Sequence, residues 1–423
     1  MIQRFKIKSD FIKNILELAT GTSIAQFIPI LISPILTRIY TPEDFGLFAL
    51  FIAVTVMFGS IANGKYETAI MLPKKDEDAI NLFALGLIIT FSVSILLLIL
   101  IIFLNQYSAN MLSYNEFRQW LYFVPLGVFL IGLWNLLNFF SNRIKKYKQL
   151  KNVTILKSIV LATLQISISY FKSGVTGLIG GQLVSQLLGN ILLLKNIIKN
   201  RVLISKISTT KIIALAKKFK NFPKFSSPHT LINIFFSNLP IFLLGGYFSS
   251  IAVGMYALAL RISRVPAKLI SQAISNVLFQ RIVSYKNKNL PYMKYVFKFL
   301  IIQILLGLLI SISLLFITNY TGLILGEKWT NLGSYLLALI PWITTAFIVS
   351  PLSFSVVLGN QQKKGLYVEI IYGFLKFISL VVGIYIGDII ITLWIFSISN
   401  SIFIFLQGCW YLSLLKMNDI NEE

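Results

Sequence analysis

The chain has 423 residues, of which 56% are hydrophobic and only 13% charged, and its mean hydropathy is +0.79. A soluble chain carries about 25% charged residues, so long apolar runs joined by short basic connections read as an all-α polytopic membrane protein. The net charge of +23 does not point to nucleic acid, because the Lys and Arg residues cluster between the runs, as the positive-inside rule requires. One cysteine, Cys409, excludes a disulfide framework. One histidine, His229, without Cys or His partners, leaves no zinc site.

The amino terminus is basic (Arg4, Lys6, Lys8, Lys13) and leads into an apolar run holding Glu17, Pro29 and Pro34, with no small-residue cleavage pattern. That run reads as a retained first span. At roughly 20 apolar residues per crossing, the runs predict spans at 15–37, 45–65, 79–103, 119–141, 153–171, 175–195, 228–247, 251–271, 295–318, 333–358, 366–386 and 389–412. A barrel pattern is absent, so helices must satisfy the backbone.

Basic residues fall on alternate connections: Lys65, Lys74 and Lys75; Arg143 to Lys151; the stretch 195–224; Arg281 to Lys298; Lys363 and Lys364. That asymmetry predicts both ends on the cytoplasmic side. Tyr40, Tyr107, Tyr114, Trp120, Trp329 and Tyr335 are expected as an interfacial aromatic belt at the outer ends. The outer loops are short, which argues against a membrane glycosyltransferase or polymerase with a large external loop. Within the long connection, Ile212–Lys220 predicts a basic amphipathic helix on the inner leaflet.

The two halves echo each other. Gly46-Leu47-Phe48-Ala49-Leu50 matches Gly254-Met255-Tyr256-Ala257-Leu258 at an offset of 208, and Lys145-Lys146 matches Lys363-Lys364 at 218. Six spans per half would make the repeats parallel.

Several spaced motifs carry a resemblance over nearly the whole chain. They are Thr37–Gly46, Gly64–Asp78, Phe222-Pro223-Lys224-Phe225-Ser226, Leu239-Pro240, Gly254–Arg261 and Val265-Pro266. Together they resemble bacterial polysaccharide-lipid flippases, the exporters of O-antigen and capsule repeat units. The resemblance implies twelve transmembrane helices in two six-helix bundles around a central cavity, as in the multidrug and toxin exporters and the peptidoglycan lipid flippases. The expected parts are then an amino-terminal bundle (1–200), a cytoplasmic amphipathic connection (201–224) and a carboxy-terminal bundle (225–423).

The implied cargo is an undecaprenyl diphosphate-linked oligosaccharide, moved from the cytoplasmic to the outer face of the inner membrane, with no catalysis. The polymerase and chain-length regulator of such a pathway would be further partners, besides membrane lipids. A cation-coupled multidrug exporter of the same fold is the alternative; it would want acidic rather than basic cavity residues.

Ionisable residues inside spans cost roughly 2.5–3.5 kcal/mol each at mid-membrane and are therefore the candidate site. Arg261, about 15 Å into the eighth span, reads as a diphosphate or sugar-acid contact. Arg264 and Lys268 follow on the same face, Arg264 as contact or snorkelling residue and Lys268 as structural. Lys376, near the centre of the eleventh span, is a second contact candidate or else the partner of a carboxylate elsewhere, and Glu369, two turns away on the same face, is a candidate gating or coupling residue. Lys157 is expected to snorkel from the inner end of the fifth span.

Glu17 is a coupling carboxylate or a surface partner for a lysine. Lys65 and Glu67 read as the inner mouth of the cavity, Lys65 meeting an arriving diphosphate and Glu67 pairing across to the other bundle. Being two apart on a helix, about 200° round, they are not expected to pair directly. No cofactor is expected. Coupling to an H+ or Na+ gradient is implied by the resemblance, and the membrane potential is the physical alternative. Pro29, Pro34, Pro240 and Pro266 are candidate hinges or static packing kinks.

Overall fold

The computed structural model describes residues 20–107, 115–171, 174–288 and 290–420, and among them no strand occurs. In chain order the helices are α1 (Thr20–Ile39), α2 (Pro42–Gly59), α3 (Tyr66–Ala69), α4 (Asp76–Tyr107), α5 (Asn115–Leu121), α6 (Val124–Arg143), α7 (Tyr147–Phe171), α8 (Thr176–Ile198), α9 (Arg201–Ile204) and α10 (Thr209–Lys218). Then follow α11 (Ser227–Tyr247), α12 (Ser250–Lys286), α13 (Met293–Thr318), α14 (Thr321–Leu325), α15 (Leu332–Val349), α16 (Ser355–Leu358), α17 (Gln362–Ile386) and α18 (Ile389–Ile420). Glu17 lies outside the described residues.

Eleven helices among the described residues are long and apolar enough to cross a membrane, one fewer than the twelve spans expected. The missing one is the predicted span 251–271. It is part of α12, which is 37 residues long, but Arg261 and Arg264 pull its hydropathy below that of the other spans. Large side chains such as Phe91, Leu96, Ile312 and Phe316 point outward from the spans, as lipid-facing positions require.

Local sequence explains the breaks. α1 is interrupted at Ile32, where Pro34 cannot donate to the preceding turn; Ser33 there donates to the Pro29 carbonyl at 2.8 Å. The second span ends at Gly59, earlier than expected, because Gly64 and Lys65 take left-handed φ values of 61° and 60° and restart the chain as α3. By contrast α11 and α12 continue through Pro240 and Pro266.

The chain divides into two compact units. Unit 1 comprises residues 1–40 and 47–238; unit 2 comprises 41–46 and 239–423, so α2 gives its first turn to one unit and the rest to the other. In unit 1, Tyr66 of α3 and Ile70 just after it, Ile80 and Phe83 of α4, Leu136 and Phe140 of α6, Leu150 of α7, Leu193 of α8 and Leu215 of α10 form one apolar core. Unit 2 is organised around α15, which packs against α12, α13 and α18 and buries Leu336, Leu339, Trp342, Ile343 and Phe347.

The repeated glycines explain one close approach inside unit 2. A Cβ on Gly46 would overlap the Ser250 carbonyl, and a Cβ on Gly254 the Pro42 carbonyl, so the starts of α2 and α12 meet backbone to backbone. The Ser250 hydroxyl also donates to Glu43 Oε1 at 3.2 Å.

The expected aromatic belt is corrected. Tyr40, Trp329 and Tyr335 are buried, Tyr335 within α15 itself, and Tyr114 lies outside the described residues. The Tyr40 hydroxyl donates to the Gln165 carbonyl, and Trp329 meets Phe45 edge-on at 5.1 Å.

Candidate functional site: cations carried on aromatic faces

In unit 2, α12 supplies a stripe of basic residues and α15 and α17 supply aromatic ones. The Arg264 guanidinium lies 4.4 Å from the centroid of the Trp342 ring. The indole N–H of Trp342 donates to the Tyr372 hydroxyl at 3.1 Å. One turn further along α17, the Lys376 ammonium sits 3.9 Å over the Tyr372 ring. Tyr372 in turn stacks on Phe403 of α18, 5.1 Å between centroids and 8° from parallel. Trp342 meets Phe396 edge-on at 5.1 Å, and its backbone N–H donates to the Ser397 hydroxyl.

Two cations from different helices therefore converge on one hydrogen-bonded aromatic pair, held from behind by α18. Each cation–π contact away from water is worth about 2 kcal/mol. That offsets only part of the cost of holding the charge in the membrane. Neither Arg264 nor Lys376 has a carboxylate within ion-pair distance among the described residues. Glu369, expected to share the Lys376 face, is exposed and makes no ion pair with it.

Beside this pair lies a cavity of about 160 Å³, lined by Arg264, Lys268 and Ser271 of α12 together with Ile343, Phe347 and Ser350. The Ser271 and Ser350 hydroxyls bond to each other at its wall. Its volume suits an anionic group with a few waters and is below the roughly 300–1,000 Å³ of a site for a whole small molecule. Arg261 is half-buried one turn before Arg264 and is not among the residues lining the cavity. Sequence reading singled out Arg264 and Lys376 separately. It missed Trp342 and Tyr372, although the Tyr372/Lys376 spacing of four residues on one helix was visible.

In unit 1, the expectation for Lys65 and Glu67 is overturned. Lys65 Nζ lies 2.8 Å from Glu67 Oε1, an ion pair in which Lys65 is 18% exposed and Glu67 1%. The helical-wheel angle does not apply, because Lys65 stands in the left-handed region before α3 begins and its side chain swings back over the short helix. Glu67 pairs with its neighbour in sequence and not with a distant helix. Burial pushes its carboxyl above the usual carboxylate range, against the opposing pull of the Lys65 ammonium. Its second oxygen is buried without a hydrogen-bond partner.

The same turn is tied to its surroundings. Asn63 donates to the Gly132 carbonyl at 3.4 Å and Tyr66 to the Ala216 carbonyl of α10 at 3.2 Å. Arg143 clamps Asp76 and the Ile70 carbonyl, each at 2.9 Å. The amphipathic helix expected at 212–220 is α10, and it is docked on the protein. Lys211 pairs with Glu77 at 2.9 Å, and Asn81 binds both the Lys206 carbonyl and the Ser208 N–H. The hydrogen bond that the Lys211 ammonium donates to Glu77 Oε2 holds its pKa above the usual lysine range.

Lys157 is also corrected. α7 begins at Tyr147, six residues earlier than predicted, which puts Lys157 about 15 Å into the helix. Its ammonium does not snorkel to the surface; it lies 4.2 Å over the Trp134 ring of α6 and donates to Gln186 Oε1 of α8 at 2.7 Å. Among the described residues no group of three or more His, Cys, Asp or Glu side chains could hold a metal.

Comparison with known proteins agrees with this architecture. The profile of the family described as "Polysaccharide biosynthesis protein" matches residues 35–334. The teichuronic acid biosynthesis protein TuaB of Bacillus subtilis (strain 168) is 27% identical over 220 residues; the match spans 48% of this chain and 42% of that protein's length. Among solved structures, the lipid II flippase MurJ in an inward closed conformation has a TM-score of 0.69 at 16% identity, covering 96% of this chain and 90% of that one. An outward-facing multidrug resistance MATE family transporter of the MOP superfamily has a TM-score of 0.57 at 15% identity, with 97% and 96% covered. The helical, multi-pass fold is thus the one seen in those transporters, and the chain belongs to the polysaccharide biosynthesis protein family.

Proposed function

We propose that the protein is a flippase that moves an undecaprenyl diphosphate-linked oligosaccharide from the cytoplasmic to the outer face of the inner membrane, by alternating access, for O-antigen or capsular polysaccharide. The observation that carries this reading is the pair of cations, Arg264 and Lys376, held on Trp342 and Tyr372 in membrane helices without a carboxylate partner among the described residues. Such an arrangement is completed by an anion. A diphosphate supplies one, and the planar guanidinium fork suits its oxygens. Arg261, one turn away, would extend the contact along the head group. The family and the fold shared with MurJ support a lipid-linked cargo.

Lys65 and Glu67 serve this cycle as a gate: an arriving diphosphate competes with Glu67 for the Lys65 ammonium. With the cell interior negative, outward movement of the cargo gains roughly 2.3 kcal/mol per charge per 100 mV. The membrane potential is therefore a sufficient driving force, and coupling to H+ or Na+ would add to it. A multidrug exporter of the same fold is disfavoured by the basic character of the seat.

The test is export in a strain whose copy of the gene is deleted, with no redundant flippase present. Lipid-linked repeat units should accumulate on the cytoplasmic face and surface polysaccharide should disappear. Complementation with Arg264→Ala or Lys376→Ala should restore export 10- to 100-fold less well than wild type at equal protein level, since a hydrogen bond to a charged group is worth about 1.5–3 kcal/mol. Arg264→Lys should retain more activity than Arg264→Ala. Normal surface glycan in the deletion strain, or full activity of both alanine variants, would refute the proposal.

A further inference from the structure

Unit 1 carries a further half-buried cation that the reading above does not use. Lys157 lies far from either end of a 25-residue helix, and its ammonium has two contacts: the face of Trp134 and the Gln186 side-chain oxygen. No carboxylate lies within ion-pair distance of it among the described residues, whereas Lys65, Arg143, Lys206 and Lys211 of the same unit each have one. A cation–π contact and one neutral amide leave an ammonium in a membrane helix short of both charge and acceptors.

The surroundings are built to hold it. Gly189 of α8 leaves the necessary space: a Cβ there would come 3.0 Å from the Trp134 ring and 3.2 Å from Lys157 Cδ, tighter than side chains normally pack. Gln186 and Asn190 stand one turn apart on α8, with Gly189 between them in sequence. Both donate to the same Leu130 carbonyl, at 3.4 and 2.9 Å. Asn190 is 1% exposed, and its Oδ1 is buried with no hydrogen-bond partner. The cluster thus offers a cation lacking an anion and, one turn along α8 from its amide partner, an acceptor lacking a donor. In unit 2, Trp342 and Lys376 stand on the corresponding spans, with Arg264 resting on Trp342 and Lys376 on Tyr372.

We infer that Lys157, Gln186 and Asn190 form a second binding seat, for an anionic group carried beside a free hydroxyl. A glycosylated diphosphate and an acidic sugar both have that chemistry. The inference rests on the proposed function, which makes such a group part of the cargo. Lys157, half-buried, takes the anion; Asn190 Oδ1 accepts the hydroxyl; Trp134 holds the ammonium in place and offers the sugar an aromatic neighbour.

The experiment uses the full chain in phosphatidylcholine nanodiscs with two probes: a prenyl diphosphate-linked N-acetylglucosamine, whose only anion is the diphosphate, and a prenyl glucuronide, whose only anion is a carboxylate. Lys157→Met is expected to weaken one of them at least 10-fold while leaving the melting temperature equal or higher, because it removes a charge held in a membrane helix with no carboxylate beside it. Loss with the first probe assigns the seat to diphosphate; loss with the second assigns it to an acidic sugar.

Unchanged binding of both probes by Lys157→Met, with Arg264→Ala still weakening them, would overturn the second seat and leave the proposed function standing. Failure of the wild type to bind either probe would overturn both. If Lys157→Met does not fold, wild-type fluorescence decides. The probe should shift an emission component that is missing in Trp134→Phe, and the absence of that component overturns the seat.

Discussion

Replacing Lys65 by methionine tests the ion pair at the turn after α2. The substitution keeps the length of the side chain and the left-handed backbone strain, and removes only the charge. It leaves the Glu67 carboxylate, 1% exposed, with no cation beside it. Breaking a buried pair from one side costs about 3–5 kcal/mol. Because Lys65 is 18% exposed and partly screened, about 2–3 kcal/mol is the better figure.

The carboxylate can escape by taking up a proton. Its folded-state pKa already lies above the unfolded one, because burial outweighs Lys65. For an acid with a raised folded pKa, the folded state binds the extra proton, so stability falls as pH rises from the ordinary carboxylate value through the raised one. Lys65→Met raises that pKa further, so its penalty should be small near pH 5 and full near pH 8. Melting curves in nanodiscs at both pH values measure this directly. The double variant Lys65→Met/Glu67→Gln should recover most of the loss at pH 8 and lose the pH dependence. Equal melting temperatures for the single and double variants at pH 8 would refute the buried pair.

Two further outcomes follow from packing. Gly254→Ala pushes a methyl group into the Pro42 carbonyl and should cost about 1–3 kcal/mol as overpacking. Gly246→Ala, with nothing within 4 Å of the new methyl, serves as the control and should melt with the wild type. Lys211→Gln releases α10 from Glu77, so amide exchange over 209–218 should quicken. Asn81→Ala, which removes both hydrogen bonds to the chain at Lys206 and Ser208, should quicken it more, and equal protection in all three proteins would count against the docking.

Much of this protein was legible in the sequence because a membrane leaves few choices. Apolar runs of about 20 residues must be helices, since lipid offers the backbone no partners, and ten of the predicted spans could be placed by length and composition alone, besides the first. The motif that resembles the flippases and the basic stripe of α12 were equally visible, because family and charge are properties of the residues themselves. Even the one span that failed the apolar test, 251–271, failed for the reason that made it a candidate: its arginines.

What tertiary structure decided was partnership. Helical period placed Lys65 and Glu67 on opposite faces, but a left-handed residue at the helix start put them in contact. Trp342 and Tyr372 are ordinary aromatic residues in apolar runs until α15 and α17 bring them under Arg264 and Lys376. Lys157 reads as a surface lysine until α7 is seen to begin at Tyr147 and α8 offers Gln186. Periodicity fixes which face a residue occupies along its own helix. Which other helix meets that face depends on contacts far apart in the chain, and there a single break in φ or an earlier helix start changes the partner of every charge that follows.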